Sequence, residues 1–138
     1  MKVLLDTCTL SEIYREREKS PAYQAIDAIP SEALFISVIS IGEIVKGIAL
    51  LPDGVKKTSL SEWIQTLETI YLHRILPIDK EVVRIWGVLT ARAQKRGRVI
   101  PVADGLIAAT ALAHGLHVMT RNVADFEETG ALLLNPWA

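Results

Sequence analysis

Short apolar runs alternate with longer amphipathic segments along this chain. The runs are rich in β-branched residues and have the length of single strands, which predicts strands at 2–5, 33–38, 74–78, 116–120 and 131–134. Strands that alternate with helices build a mostly parallel sheet with helices on both faces. The pattern therefore predicts an α/β fold with three layers, α/β/α, around a central, mostly parallel five-stranded sheet.

The longer segments have the period of amphipathic helices. Apolar residues recur at helical spacing over 40–51, 60–71, 79–97 and 102–114. One apolar stripe of the first of these helices is formed by Ile41, Ile44, Val45 and Ile48. Asp79 is placed to cap the third helix, which is expected to fray near Gly97, and Gly115 is placed to end the fourth.

Length and composition narrow the class of protein. At 138 residues the chain is long enough for a real core, and residues 1–138 are predicted to form a single domain. Half of the residues are hydrophobic, yet no uninterrupted apolar stretch approaches the length of a membrane span. The hydrophobic surplus predicts a protein interface. Because Cys8 is the only cysteine and no signal peptide is recognisable, we expect a cytoplasmic, disulfide-free protein that does not enter the membrane.

Four acidic residues stand at the ends of strongly apolar stretches. They are Asp6, Glu43, Asp104 and Asp125. If the apolar stretches are parallel strands, these side chains meet at the carboxyl edge of the sheet, where open α/β folds bind ligands. Converging carboxylates repel one another unless cations neutralise them. Since oxygen ligands favour Mg²⁺ or Mn²⁺ over Zn²⁺, the sequence predicts a divalent-metal site of that kind.

Each of these acids also has a structural interpretation. Asp6 is placed to cap the first helix, Asp125 is placed to cap a short helix, and Glu43 forms a capping-box pattern with Ser40 opposite the apolar stripe. Asp104 is harder to explain in this way, because it shares an apolar stripe of its own helix. A carboxylate on a buried face needs a hydrogen bond, a cation or a proton. The four acids together favour a metal site more strongly than any one of them does.

Other chemistries lack their signatures. The sequence contains no Gly-x-Ser-x-Gly motif, no P-loop and no Gly-x-Gly-x-x-Gly motif. Cys8 is interpreted as a small buried side chain, since no histidine is placed to activate it as a nucleophile. The formal charge of −1 argues against a uniformly basic nucleic-acid binder. Basic residues do cluster at 56–57 and 92–98, where solvated helix ends are the simpler interpretation.

Several segments carry a family resemblance. The blocks that resemble, in order, the signatures of PIN-domain ribonucleases, and in particular of VapC-type toxins, are residues 4–7, 37–43, 104–111 and 120–126. Residues 74–79 and 135–137 are similar to the FitB-like branch of that group. The most specific block is Asp-x-x-Ile-Ala-Ala-Thr-Ala, which begins at Asp104, and the resemblance covers essentially the whole chain.

The resemblance implies a PIN-domain fold and a set of site residues. It makes Asp6, Glu43, Asp104 and Asp125 the catalytic metal ligands, with Mg²⁺ or Mn²⁺ as the cofactor. The residues expected to form hydrogen bonds around these ligands are Thr7, Ser40, Thr120 and Asn122. Cys8 stands where the family commonly has Asn or Ser, and Asn122 stands where some relatives place an acid. The fourth ligand is therefore open between Asn122 and Asp125.

The function implied by the resemblance is that of an endoribonuclease toxin. A metal-activated water is expected to attack an RNA phosphodiester and to leave a 5′-phosphate and a 3′-hydroxyl. A cognate antitoxin is expected to cover the apolar surface and to block the acidic pocket, and the toxin itself is expected to be a homodimer. The basic residues expected to contact RNA phosphates are Lys95, Arg96, Arg98 and Arg121.

Two other classes of function stay open at this point. A receiver-like phosphoacceptor domain is also a five-stranded parallel α/β unit, with Asp79 as its acceptor and Thr120 as its switch residue. Only one acid follows the first strand and no lysine follows the last, which argues against it. The other class is a non-catalytic component of an operator-binding complex.

Overall fold

A five-stranded parallel sheet lies at the centre of the computed structural model, which describes residues 1–16 and 20–138. Its strands are β1 (Val3–Leu5), β2 (Leu34–Ser37), β3 (Ile75–Leu76), β4 (His117–Met119) and β5 (Leu133–Leu134). They lie in the order β3-β2-β1-β4-β5, and every neighbouring pair is parallel. The predicted α/β fold with a five-stranded parallel sheet is confirmed.

Seven α-helices are described around the sheet. They are α1 (Thr7–Glu16), α2 (Pro21–Asp27), α3 (Val38–Ala49), α4 (Val55–Ile70), α5 (Lys80–Lys95), α6 (Val102–His114) and α7 (Val123–Phe126). The sequence pattern did not predict α2, which is stabilised locally by Pro21 in its first turn and by the Ser20 hydroxyl, which accepts the Ala22 N–H. No helix in the described part of the chain is long and apolar enough to cross a membrane.

Side chains of β1 alternate between two apolar layers because successive residues of a strand point to opposite faces. Val3 and Leu5 pack in a core that includes residues of α1, α3 and α4. Leu4 packs on the other face against α6 and Phe126. A third cluster joins α5 to α6. Helices therefore cover both faces of the sheet, as the three-layer prediction requires.

The strand register sets where the site forms. Leu5 lies beside Ile36 of β2 and beside Met119 of β4, so three neighbouring strands end at the same level. The Asp6 N–H continues this pairing by donating to the Met119 carbonyl at 3.2 Å. The residues that follow β1, β2 and β4 therefore meet at one edge of the sheet.

Two details of α3 differ from the sequence prediction. The helix begins at Val38 because the Ser37 hydroxyl accepts the Ile39 N–H at 3.1 Å, so Ser37 and not Ser40 is the N-cap. Strand β2 thus runs into α3 without a loop. Val45, which was assigned to the apolar stripe, is 47% exposed, whereas Ile44 and Ile48 are buried.

The helix ends predicted on α5 and α6 are confirmed. Asp79 Oδ1 accepts the Val82 N–H at 3.0 Å and so caps α5. Gly97, just beyond α5, has a φ of 74°, and Gly115 ends α6 with a φ of 67°. Both angles lie in the left-handed region that glycine adopts without a steric penalty.

Candidate metal centre

Asp6 is fixed at the start of α1, directly after the central strand. Its side chain is 3% exposed, and its Oδ1 accepts the Thr9 N–H at 2.7 Å. Burial raises the pKa of Asp6, hydrogen bonds from Thr120 and Thr9 oppose the rise, and the charge of Glu43 adds to it. The capping role that the sequence offered as an alternative is therefore real, and Thr120 also forms a hydrogen bond with this carboxylate.

Glu43 is held by a short chain of hydroxyl groups. Thr7 Oγ1 lies 2.5 Å from Glu43 Oε1 and 3.0 Å from Ser40 Oγ. Because the Thr7 hydroxyl has one proton, it donates to the Glu43 carboxylate and accepts from Ser40. Ser40 is fully buried in the first turn of α3, so this chain ties an exposed carboxylate to a rigid part of the fold.

Asp104 lies in the first turn of α6 and is partly buried. Burial, followed by the charges of Asp125, Glu43 and Asp6, raises the pKa of Asp104 to about 6. Asp104 is therefore within reach of the charges of the other three predicted acids, and the charge of Glu43 also acts on Asp6. Burial is the largest cause of the raised pKa of Asp104, and the neighbouring carboxylates add to it.

Asn122 and Asp125 differ in what they contact. The Asn122 side-chain amide donates to Cys8 Sγ at 3.0 Å, and its backbone N–H donates to Thr120 Oγ1 at 2.9 Å. Asp125 is exposed on α7. Among the three charged neighbours of Asp104, it contributes most to the raised pKa of Asp104. These contacts favour Asp125 over Asn122 as the fourth member of the cluster.

The prediction that Cys8 is buried was wrong. The residue is exposed at the acidic edge, because it follows Asp6 by two residues on the first turn of α1. Partial desolvation of its sulfur, and then the charge of Asp6, raise the pKa of the Cys8 thiol. A thiol that stays protonated is a poor nucleophile, so the thiol does not change the chemistry expected of the acids.

The donor set fits a hard divalent cation. Four carboxylates offer oxygen ligands only, which suits Mg²⁺ or Mn²⁺. In residues 1–16 and 20–138 no three His, Cys, Asp or Glu side chains surround a common point. Asp6 accepts a hydrogen bond from the Thr9 N–H, and Glu43 accepts one from the Thr7 hydroxyl.

Gly105, next to Asp104, is a site residue that the sequence argument missed. A Cβ at this position would lie 3.1 Å from two atoms of the Trp86 indole and 3.3 Å from Ile100. The absence of a side chain lets α6 pack closely on α5 and so sets the position of Asp104. The signal was available, since glycine inside a helix is unfavourable unless packing requires it.

The predicted RNA-contacting residues lie in two places. Lys95, Arg96 and Arg98 are exposed at the end of α5 and in the loop that follows. Arg96 Nη1 and Arg98 Nε lie 3.4 Å and 3.7 Å from the Glu128 carboxylate, so part of their charge is already matched. Arg121 lies apart from them, directly after Thr120 at the acidic edge.

Comparisons with known proteins find relatives over nearly the whole chain. The family model described as PIN domain matches residues 3–132. The chain is 36% identical over 136 residues to a VapC ribonuclease, Y4jK, from Sinorhizobium fredii, which covers 98% of this chain and 97% of that protein. It is also 36% identical over 136 residues to Toxin FitB from Neisseria gonorrhoeae, covering 98% of both chains.

Solved structures give the same result. The structure of FitAB bound to an IR36 DNA fragment is similar, with a TM-score of 0.90 and 35% identity, over 99% of this chain and 96% of that one. The crystal structure of FitAcB from Neisseria gonorrhoeae is similar with a TM-score of 0.90 and 36% identity, over 98% of each chain.

Proposed function

The chain belongs to the PIN-domain family, and from that premise we propose that it is a divalent-metal-dependent endoribonuclease and the toxin of a toxin–antitoxin pair. Two of its relatives are named a ribonuclease and a toxin. The observation within this chain that carries the proposal is the gathering of four carboxylates at one edge of the sheet, where burial, and then the charges of the other three acids, raise the pKa of Asp104 to about 6.

The residues proposed to hold the cation are Asp6, Glu43, Asp104 and Asp125. When bound, Mg²⁺ or Mn²⁺ would supply the positive charge that activates an attacking water and stabilises negative charge developing on the phosphate oxygens. Asn122 is not among the proposed ligands, because its side-chain amide donates a hydrogen bond to Cys8.

Side chains around the acids prepare them for this task. The Thr9 N–H and Thr120 orient Asp6, and the Ser40–Thr7 chain orients Glu43. Ligands that are fixed before the substrate arrives need less reorganisation during the reaction. Asp104 must lose its proton before it can bind a cation, so metal binding should weaken as the pH falls below about 6.

Cleavage of RNA by the purified chain tests this function. Total RNA is incubated with Mg²⁺, with Mn²⁺ and with EDTA, and the ends of the products are sequenced. We expect cleavage that requires the metal and leaves a 5′-phosphate and a 3′-hydroxyl. No cleavage by a correctly folded chain under any of these conditions would contradict the proposal and favour the non-catalytic, operator-binding alternative.

The receiver-like alternative is tested on the same sample with a phosphodonor such as acetyl phosphate. Asp79 would be the acceptor, but its carboxylate caps α5 by accepting the Val82 N–H at 3.0 Å. We therefore expect no labelling of Asp79. Labelling that disappears in Asp79→Asn would support the receiver-like function instead.

A cognate antitoxin is the proposed protein partner, as in the FitAB complex that resembles this chain. An apolar cavity of about 150 Å³ lies between α1, α2 and α4. Ile13, Tyr23 and Trp63 are among the residues that line it. An apolar segment of the antitoxin fits such a cavity, because burying these side chains removes apolar surface from water.

Co-expression tests this partner. The chain alone is expected to arrest growth, and the small protein encoded beside it is expected to relieve the arrest and to co-purify. Ile13→Asp should abolish co-purification while RNA cleavage continues. Val55→Asp, which places the same charge on a residue 86% exposed and outside the cavity, is the control. Retention of the complex by Ile13→Asp, or equal loss of the complex in both variants, would contradict binding of the antitoxin in this cavity.

We also propose that the toxin forms a homodimer through apolar surface on α5 and α6. Val83, Val88 and Leu112 are exposed on these two helices, which pack against each other. Exposed apolar side chains of this kind favour a protein interface. Light scattering of the purified chain should give twice the monomer mass, and a monomer at micromolar concentration would contradict this.

A further inference from the structure

Three side chains from distant parts of the chain meet beside the acidic cluster. Arg121 Nη1 lies 3.6 Å from Glu12 Oε1, and the Arg121 guanidinium carbon lies 5.7 Å from the centre of the Trp137 ring. The Glu12 side chain is 14% exposed, whereas that of Arg121 is 54% exposed. The guanidinium is thus held on one side and open to solvent on the other.

The backbone of Arg121 is fixed by its two neighbours. Thr120 is fully buried and forms a hydrogen bond with Asp6. Asn122 donates to Cys8, two residues after Asp6. The backbone of Arg121 therefore lies at the rim of the acidic cluster, where α1 begins, and its side chain extends along α1 to Glu12.

Trp137 is positioned by the turn that contains it. Its backbone N–H donates to Asn135 Oδ1 at 3.0 Å. The indole Nε1 is buried and has no hydrogen-bond partner in the described part of the chain, so the ring is held by packing. A ring about 6 Å or less from a guanidinium attracts it through the negative face of its π-system. The ring thereby limits the orientations open to Arg121.

Glu12 does not depend on Arg121 for its own neutralisation. Arg15 Nη2 binds the same Glu12 oxygen at 2.7 Å, which is shorter than the Arg121 contact. The ion pair between Glu12 and Arg121, at 3.6 Å and with Arg121 half exposed, adds little to the stability of the fold. Arg121 retains N–H donors in a planar fork, and that geometry suits a phosphate group.

We propose that Arg121 is a positioning residue of the cleavage site, held ready by Glu12 and Trp137 to bind a backbone phosphate of the RNA. This inference rests on the proposed ribonuclease function. An RNA strand that enters a cluster of four carboxylates is repelled by them, and a cation at the rim offsets that repulsion and fixes the register of the strand.

Steady-state cleavage of a defined RNA tests the role of Arg121. Arg121→Ala should raise KM by about tenfold, change kcat by less than about threefold and reduce the salt dependence of binding by about one charge. Arg121→Lys should recover part of the KM. Trp137→Ala should raise KM less than Arg121→Ala does, whereas Trp137→Phe, which keeps a ring, should resemble the wild type.

Arg15→Ala is the matched control, since it removes the other arginine bound to Glu12 without touching the rim. Its KM and salt dependence should equal those of the wild type. An Arg121→Ala variant with wild-type KM and salt dependence, or an Arg15→Ala variant with the same defect, would overturn the inference. If Arg121→Ala unfolds, Arg121→Gln, which removes the charge and keeps a polar side chain, decides: a wild-type KM and salt dependence in that variant would also overturn the inference.

Binding of a labelled RNA in EDTA separates this inference from the ribonuclease proposal. A wild-type chain that binds RNA through Arg121 but does not cleave it with any metal would overturn the ribonuclease function and support the phosphate contact. A chain that cleaves RNA but binds it equally well with and without Arg121 would overturn the contact alone. A chain that neither binds nor cleaves RNA would overturn both.

Discussion

At the scale of single residues, Asp6 combines two tasks. One of its oxygens caps α1 through the Thr9 N–H, and the same carboxylate is one of the four proposed to hold the cation. The two interpretations that the sequence left open for Asp6 are therefore compatible. Glu43 is different, because its hydrogen-bond partner is the Thr7 hydroxyl and not the backbone of its own helix. The N-cap of α3 is provided by Ser37. A local capping pattern was enough to explain the first acid but not the second.

Asp104 gives the metal-free protein a distinctive pH dependence. Its pKa is raised from 3.8 to about 6 by burial and then by the charges of Asp125, Glu43 and Asp6. The folded state therefore binds this proton more tightly than the unfolded chain does, so the contribution of Asp104 to stability falls as the pH rises between these two values. At neutral pH, Asp104→Asn should stabilise the metal-free protein by roughly 1–2 kcal/mol, less than the full shift because the side chain is partly solvated.

Thermal unfolding with and without Mg²⁺ measures this effect. In excess Mg²⁺ the order should reverse, because the wild type gains stability by binding the ion and the variant gains little. Asp79→Asn is the control, since it makes the same chemical change at a helix cap where Asn serves as well as Asp. Metal-free Asp104→Asn that melts no higher than Asp79→Asn would contradict the cause given for the shift.

At the scale of elements, the periodicity of hydrophobic residues was sufficient to locate the strands and helices that are long or strongly apolar. All five strands and helices α3 to α6 overlap the segments that the pattern predicts, although α4 begins at Val55, five residues before its predicted start. Helix α2 was missed because seven residues carry too little periodicity, and its signals are local, a Ser20 cap and Pro21. The start of α3 was misplaced because a strand that passes directly into a helix leaves no loop signal between them.

The close packing of α5 on α6 leads to a prediction for the substitution Gly105→Ala. Gly105→Ala would place a Cβ 3.1 Å from the Trp86 indole, so the contact between α5 and α6 must open by a few tenths of an ångström, and we expect α6 to shift with Asp104. We expect a loss of about 1–2 kcal/mol in stability together with weaker Mg²⁺ binding, although Ala alone favours a helix. Denaturant unfolding and metal titration by calorimetry measure the two effects.

Gly87→Ala is the matched control for this substitution. Gly87 lies on α5, and a Cβ there meets no atom within 4 Å. That variant should be as stable as the wild type or more stable by up to about 1 kcal/mol, with unchanged metal affinity. Equal behaviour of the two variants would show that close packing at Gly105 does not position Asp104.

At the scale of the whole molecule, the site exists because the sheet order places β1 between β2 and β4. The family resemblance drawn from four sequence blocks is confirmed by the PIN-domain match over residues 3–132. Alternation of strands and helices predicted that the acids meet at one edge of the sheet. It did not predict the contacts of Arg121 with Glu12 and Trp137 or of Cys8 with Asn122, since such long-range pairs leave no periodic signal in one sequence.

The most direct test of the central claim is the Mg²⁺ dependence of RNA cleavage in three proteins: the wild type, Asp104→Asn and Asp79→Asn. The two substitutions are chemically identical, but one removes a charge from the acidic cluster and the other replaces one helix cap by another. We predict that Asp79→Asn follows the wild-type curve and that Asp104→Asn loses about 100-fold or more in rate at limiting Mg²⁺, with both proteins folded. Wild-type cleavage by Asp104→Asn at limiting Mg²⁺, or an equal loss in Asp79→Asn, would contradict a metal-dependent nuclease site built from these carboxylates.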